Sequence, residues 1–132
     1  MLNHSQRGEF KSKGYLKIPG LITESTRKLM LDQLSDWVEE SRSYDANYGF
    51  DTPNGKARFD LEQSHSSDHP RLRRVANPVD ISEAYQSVLF FGEMPEVVAD
   101  LIGPDVFFHH CKLNNKFPGG STRVEYHADH PF

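Results

Sequence analysis

The sequence has little of what would mark a secreted, membrane-bound or nucleic-acid-binding protein. It holds one cysteine, Cys111, so no disulfide can form within the chain. No apolar run approaches the roughly 18 residues of a membrane span, and residues 1–10 lack the apolar segment of a signal peptide. The formal net charge of −4 provides no general attraction to nucleic acid or to an anionic membrane. We therefore expect a cytoplasmic protein that binds neither.

The composition is that of an ordinary globular protein. Hydrophobic residues make up 36% and charged residues 26% of the 132 residues, which is too apolar for a disordered chain. This length suffices for one domain and not for two of ordinary size. We expect a single domain over residues 1–132.

Turn and capping residues predict the order of the elements. Gly14 to Gly20 is typical of a short strand closed by a Pro-Gly turn. Thr23 is a good N-cap for a helix that we extend to about Glu40 or Ser43. This helix carries an apolar stripe of Met30, Leu34, Trp37 and Val38. Further helices are predicted over Ile81–Phe91, with Ser82 as cap and with Ala84, Val88 and Phe91 on one side, and over Met94–Ile102, where Gly103-Pro104 ends the helix.

The segment from Tyr44 to Asp80 lacks clear periodicity. A stretch of this length is typical of a functional loop or of disorder. Its charged and imidazole side chains could contact substrate or form ion pairs on the surface: His65, His69, Arg71, Arg73 and Arg74.

Two strands are predicted near the end of the sequence, over Val106–Phe117 and Thr122–His127, with a Pro-Gly-Gly turn between them. In the first strand, Lys112 and Asn114 share one face, and Cys111 lies on the more apolar opposite face. A basic and amide face is costly to bury without partners. It could lie at a solvated edge or line a polar cavity for a dicarboxylate. Cys111 is predicted to be a small core residue.

His127-Ala128-Asp129 is the most informative motif. On a strand, side chains two residues apart point the same way, so His127 and Asp129 could bind one ion. An imidazole and a carboxylate are two of the three ligands of the facial triad in non-haem Fe(II) oxygenases. Alone, His-x-Asp is common and is often an ordinary polar pair. The adjacent His109 and His110 are expected to point in opposite directions from a regular strand.

The combination of motifs resembles the phytanoyl-CoA dioxygenase family, particularly its branch related to ectoine hydroxylases. The matching segments cover most of the chain: Gly14–Gly20 followed by a helix, Val97–Val106, His110–Lys116 and His127–Asp129. Tyr126 stands where tryptophan is frequent in the family.

The resemblance implies an α+β fold, in which N-terminal helices pack on the first strands of a double-stranded β-helix, or jelly-roll. It implies Fe(II) as the metal, 2-oxoglutarate as co-substrate and a small molecule as substrate. His127 and Asp129 match the family's first two iron ligands. Lys112 and Asn114 match a strand that faces the co-substrate and substrate pocket.

The family places a second histidine ligand and a 2-oxoglutarate-binding arginine well after His-x-Asp. A jelly-roll needs about eight strands, more than the sequence predicts here. We therefore expect an incomplete N-terminal part of a dioxygenase domain, inactive alone. We do not expect His4, His65 or His69 to supply the third ligand.

Two alternatives remain open. Glu125 to His130 loosely resembles the metal motif of metallo-β-lactamase-like enzymes, which would make the chain part of a zinc metallohydrolase. Alternatively, the chain is a non-catalytic binding domain in which His127 and Asp129 are ordinary polar residues. The sequence identifies neither the substrate nor the oligomeric state.

Overall fold

The computed structural model describes residues 1–120, Arg123, Glu125 and His127. Its elements are the helices α1 (His4–Lys13), α2 (Glu24–Ser41), α3 (Glu83–Gln86) and α4 (Met94–Ile102), the strands β1 (Phe59–Leu61), β2 (Leu72–Ala76) and β3 (Lys112–Asn114), a 3-10 turn (Pro78–Asp80) and a π-helical segment (Ser87–Phe91). None of the helices in these residues is long and apolar enough to cross a membrane.

The chain divides into two compact units. The helical unit comprises Met1–Asp36 and Asn77–Lys112, and the sheet unit comprises Trp37–Ala76 and Leu113–Phe132. The chain passes from the first to the second within α2, between Asp36 and Trp37.

Helix α1 begins with a capping box and ends at Gly14, and neither cap was predicted from the sequence. The side chain of Asn3 accepts from the backbone N–H of Gln6 at 2.9 Å, and the Gln6 side chain accepts from the N–H of Asn3 at 2.9 Å. Within the helical unit, Asp100 of α4 accepts from the Leu2 N–H at 2.7 Å and pairs with Arg7 at 2.9 Å. The Leu2 hydrogen bond, followed by the charge of Arg7, lowers the pKa of Asp100 because both favour its ionised form.

The predicted helix after Thr23 is confirmed as α2. Its first turn is capped by Thr23, whose hydroxyl accepts from the Thr26 N–H at 3.1 Å. The predicted stripe is turned inward: Trp37 is buried, and the other three members, Met30, Leu34 and Val38, are half-buried. Helix α4 likewise has the predicted bounds, and Gly103 follows its last residue.

The helix predicted over Ile81–Phe91 is in fact α3 followed by the π-helical segment. Ser82 occupies the N-cap position, but its side chain makes no cap hydrogen bond. Phe91, which was expected beside Val88, is 81% exposed. A π-helical turn holds more residues than an α-helical turn, so the predicted side of the helix is not maintained across it.

The segment predicted to be irregular contains β1 and β2, and that prediction was wrong. The two strands are antiparallel, with Phe59 opposite Val75 and Leu61 opposite Leu72. The pairing register shifts between Asp60 and Leu61, so Arg73 has no residue opposite it in β1. This extra residue brings Leu72 and Val75, which are three positions apart, to one buried face. The period of two that identifies a strand in sequence is therefore lost.

Two other strand predictions need correction. Residues 15–18, within the predicted Gly14–Gly20 strand, form no strand, although the turn at Pro19-Gly20 is present. The strand predicted over Val106–Phe117 is limited to β3, which neighbours β2 in the order β1-β2-β3. A strand exists only where a ladder partner lies beside it, and sequence alone does not indicate that partner.

Alternation nevertheless extends beyond β3. From residue 111 to residue 117, odd-numbered side chains are half-buried and even-numbered ones are exposed. The predicted Thr122–His127 strand falls largely on residues outside the described ones. The jelly-roll stays a prediction.

His65 contacts three backbone groups of the sheet unit. Its Nε2 lies 3.1 Å from the carbonyl oxygens of Ser41 and Tyr44, and its Nδ1 accepts from the N–H of Arg71 at 2.8 Å. Carbonyls only accept, so Nε2 carries the proton and Nδ1 is the acceptor. The neutral ring thus anchors the connection between β1 and β2 to the end of α2.

Replacing His65 with alanine should destabilise the protein by about 1–3 kcal/mol, because partly buried backbone groups lose their partner. Urea denaturation of His65→Ala beside His69→Ala measures the difference, since His69 lies in the same connection but is exposed. Equal midpoints for the two variants would show that the His65 contacts contribute nothing.

Leu72 is fully buried in the sheet unit. The variant Leu72→Ala should lose about 2–5 kcal/mol of unfolding free energy through lost burial and a residual cavity. Leu29→Ala is the matched control, because Leu29 is 59% exposed and its truncation should cost about 0.5 kcal/mol or less. Similar losses at the two positions would contradict the core described above.

Candidate functional site

Of the two predicted iron ligands, His127 lies among the residues that the structure describes. His127 is exposed, and its Nδ1 lies 2.8 Å from the backbone carbonyl oxygen of Glu125. Because that oxygen only accepts, Nδ1 is the donor in this contact. Metal-binding histidines commonly have this arrangement, in which one ring nitrogen donates to a carbonyl and the other binds the metal. Asp129 lies outside the described residues.

In the part of the chain that the structure describes, no three His, Cys, Asp or Glu side chains are grouped to hold a metal ion. His65 uses both ring nitrogens for backbone hydrogen bonds. His4 and His69 are exposed. The His127–Asp129 pair therefore remains the candidate metal site.

The turn that precedes this motif is anchored to the sheet unit. The guanidinium of Arg71 donates to the Pro118 carbonyl at 3.0 Å and lies over the Phe117 ring at 5.4 Å from its centroid. Gly120 lies against the buried side chain of Glu62, and a Cβ there would approach the Glu62 carboxylate and the Phe117 carbonyl to 3.0 Å or less. The chain is thus held in place up to Gly120, seven residues before His127.

Lys112 and Asn114, the predicted co-substrate residues, are both exposed on β3, on either side of half-buried Leu113. The side-chain oxygen of Asn114 accepts from Nε of Arg74 at 3.1 Å. Their role towards 2-oxoglutarate stays a prediction.

The arginines around β2 are bound to neighbouring residues of the sheet unit. Arg73 forms an ion pair with Asp60, and Arg74 lies 4.0 Å from the same carboxylate. Both contacts are part of the sheet's own structure, and the predicted substrate contact of these residues stays a prediction.

The expectation that His109 and His110 point in opposite directions was wrong. Their rings are in edge contact, with centroids 4.6 Å apart, and their Nδ1 atoms are hydrogen-bonded partners. Opposite directions require a regular strand, and these residues precede β3 in irregular backbone.

Cys111 is half-buried, and its partner residue Asn77 was not identified from sequence. Asn77 donates its N–H to the Cys111 carbonyl at 2.9 Å, and its side-chain oxygen accepts the Cys111 N–H at 3.0 Å. Asn77 has a left-handed backbone (φ 44°), a conformation that asparagine tolerates better than most residues. Burial, together with the nearby charge of Asp80, raises the pKa of the Cys111 thiol. A neutral thiol is a poor nucleophile, which fits the predicted packing role.

An open cleft lies in the sheet unit. It has a volume of about 470 Å³ and is lined mainly by polar side chains, among them Asp45, Asn47, Glu62, Gln63 and His65. His65 is already bonded to the backbone, so its contribution to the cleft is structural.

Comparison with known proteins identifies related enzymes. The chain is 25% identical to a 2-aminoethylphosphonate dioxygenase of an uncultured bacterium over 126 residues. It is 26% identical to a methylphosphonate hydroxylase of Gimesia maris and 27% identical to a probable alpha-ketoglutarate-dependent hypophosphite dioxygenase of Stutzerimonas stutzeri, each over 130 residues. No protein-family model matches the chain, and no solved structure matches it.

These alignments cover 96–98% of this chain but 41–45% of the relatives. The chain therefore spans less than half the length of the curated relatives it matches. The similarity confirms the expected relationship to oxidoreductases of the dioxygenase and hydroxylase class.

Proposed function

We propose that this chain is part of an Fe(II)- and 2-oxoglutarate-dependent dioxygenase that hydroxylates a small molecule. The observation that carries the proposal is the His127-Ala128-Asp129 motif in a chain that aligns over almost its full length with enzymes named as dioxygenases and a hydroxylase. One of these names includes dependence on alpha-ketoglutarate, which is 2-oxoglutarate. We further propose membership of the phytanoyl-CoA dioxygenase family and a jelly-roll domain, of which the three-stranded sheet would form part.

His127 and Asp129 would hold the metal in this proposal. The chemistry that Fe(II) would supply there is the activation of dioxygen, coupled to oxidative decarboxylation of 2-oxoglutarate. The Glu125 carbonyl accepts from Nδ1 of His127, so Nε2 is the ring nitrogen that would bind the metal. Asp129 would add a negative charge that offsets part of the metal's charge, and the ligand pair would leave other positions open.

Lys112 and Asn114 would bind anionic groups of the co-substrate or substrate. A lysine provides a point charge with three donors, and an asparagine provides two N–H donors in a fixed plane. Both side chains are exposed on β3. Because both are exposed, each could contact a ligand without displacing buried side chains.

The relatives also suggest a substrate class. All three carry the name of a phosphorus compound: 2-aminoethylphosphonate, methylphosphonate or hypophosphite. We propose that the substrate of this protein is a small phosphorus oxyanion. The net charge of −4 opposes such a ligand at long range, so binding would depend on local cationic and N–H donors.

In the longest natural form of the protein that contains this chain, the variant Asp129→Ala should reduce 2-oxoglutarate-dependent succinate formation at least about 100-fold, because the iron loses its anionic ligand. Succinate is measured with Fe(II) and with methylphosphonate, 2-aminoethylphosphonate and hypophosphite in turn. Iron content is measured in the same samples.

The matched control is His4→Ala, an exposed histidine in α1, which should retain wild-type activity and iron. Unchanged turnover in Asp129→Ala would remove this residue from the metal site. Zinc-dependent hydrolysis without succinate formation would favour the metallohydrolase alternative instead.

A further inference from the structure

Arg74 and Asn114 form a side-chain contact that connects two strands of the sheet unit. Arg74 lies on β2 and Asn114 on β3, 40 positions apart in sequence, and the Arg74 Nε to Asn114 Oδ1 distance is 3.1 Å. Asn114 is one of the two residues proposed above to bind anionic groups. Any effect of Arg74 on the Asn114 amide therefore affects the proposed anion-binding site.

The contact determines which end of the amide faces outward. The two ends of an asparagine side chain are nearly identical in shape, and only their hydrogen bonds distinguish them. An arginine has donors and no acceptor, so it can pair only with the carbonyl end. The Asn114 oxygen is thereby occupied, and its NH₂ group is directed away from Arg74. An exposed NH₂ group with a fixed orientation is suited to an oxyanion.

Neighbouring residues fix the position of this pair. Asn115 donates its backbone N–H to the Arg73 carbonyl at 2.8 Å and its side-chain N–H to the Leu72 carbonyl at 2.9 Å. These two bonds hold the backbone next to Asn114 against β2. On the other side, Asp60 lies 4.0 Å from Arg74 and attracts its guanidinium. Both partners are thus placed before any ligand arrives, which lowers the ordering cost of binding.

We propose that Arg74 is a positioning residue, which orients the Asn114 amide so that its N–H groups donate to an oxyanion of the co-substrate or substrate. The inference rests on the proposed dioxygenase function and extends it to a residue outside the motif. The shared chemistry is an oxyanion acceptor, whether a carboxylate of 2-oxoglutarate or a phosphorus oxyanion.

Asn114→Asp separates this role from a purely structural one. Aspartate has almost the same shape and still accepts from Arg74, so the strand contact and the melting temperature should be kept or improved. It has no N–H donor and carries a negative charge, so it should repel an oxyanion. A structural role predicts no loss of binding in this variant, whereas the proposal predicts about 10- to 100-fold weaker binding.

Binding is measured in the longest natural form of the protein by calorimetry, with Mn(II) replacing Fe(II) to prevent turnover. One arm titrates 2-oxoglutarate and the other titrates methylphosphonate in the presence of 2-oxoglutarate. Weakening confined to the first arm assigns the oxyanion to the co-substrate, and weakening confined to the second assigns it to the substrate. Either result supports the proposal, and unchanged binding in both arms overturns it.

A double-mutant cycle tests whether Arg74 acts through Asn114. Arg74→Ala should weaken binding in the affected arm about 3- to 10-fold in the wild type, because the freed amide must be ordered on binding. In an Asn114→Ala background the same change should have almost no effect. Equal effects in the two backgrounds would show that Arg74 attracts the anion by its own charge, which overturns the positioning role.

Arg42→Ala is the matched control, because Arg42 has the same 38% side-chain exposure as Arg74 and also lies in the sheet unit. It removes one positive charge without touching Asn114 and should leave both dissociation constants unchanged. A wild-type protein that makes no succinate and binds no 2-oxoglutarate would overturn the proposed function and this inference together. An active wild type with an unaffected Asn114→Asp variant overturns the inference alone.

Discussion

The buried face of β2 is the constraint on which the sheet unit depends. Leu72 and Val75 are both fully buried, yet they are separated by two arginines that need solvent or charged partners. A regular strand would place Leu72 and Val75 on opposite faces. The extra residue in β2 brings both to the core, opposite Leu61 and Phe59, and leaves the arginine side chains to pair with Asp60 and Asn114. One local irregularity therefore produces both the core and the polar contacts of the sheet.

The sequence predicted those elements whose signals are local. Helices α2 and α4 were predicted because their signals are local: a capping threonine, an apolar stripe, and a glycine and proline at the end. Helix α1 was missed because no residue in it is buried, so it has no apolar stripe to detect. Its Asn3–Gln6 capping box was a usable signal. Strand β2 could not be found from a period of two, because the bulge removes that period, and β1 is only three residues long.

In the candidate site, the motif was likewise predictable from sequence, whereas the contacts around it were not. The His-x-Asp motif is visible in three consecutive residues, and the chemistry that it suggests follows from the residue types. The contacts around it join residues far apart in sequence: Arg71 with Pro118, Glu62 with Gly120, and Arg74 with Asn114. No local pattern marks such pairs. The role of His65 was equally invisible in the sequence: its ring joins backbone segments that are distant in sequence.

The close approach of Gly120 to Glu62 has an evolutionary consequence. Because the glutamate is buried and reaches almost to the glycine backbone, a side chain at position 120 would require a shorter or differently placed one at position 62. The two positions should therefore vary together among homologous sequences, with bulk gained at one accompanied by bulk lost at the other. Such paired substitutions would indicate that the contact between the turn before the His-x-Asp motif and the residue after β1 is kept among homologues.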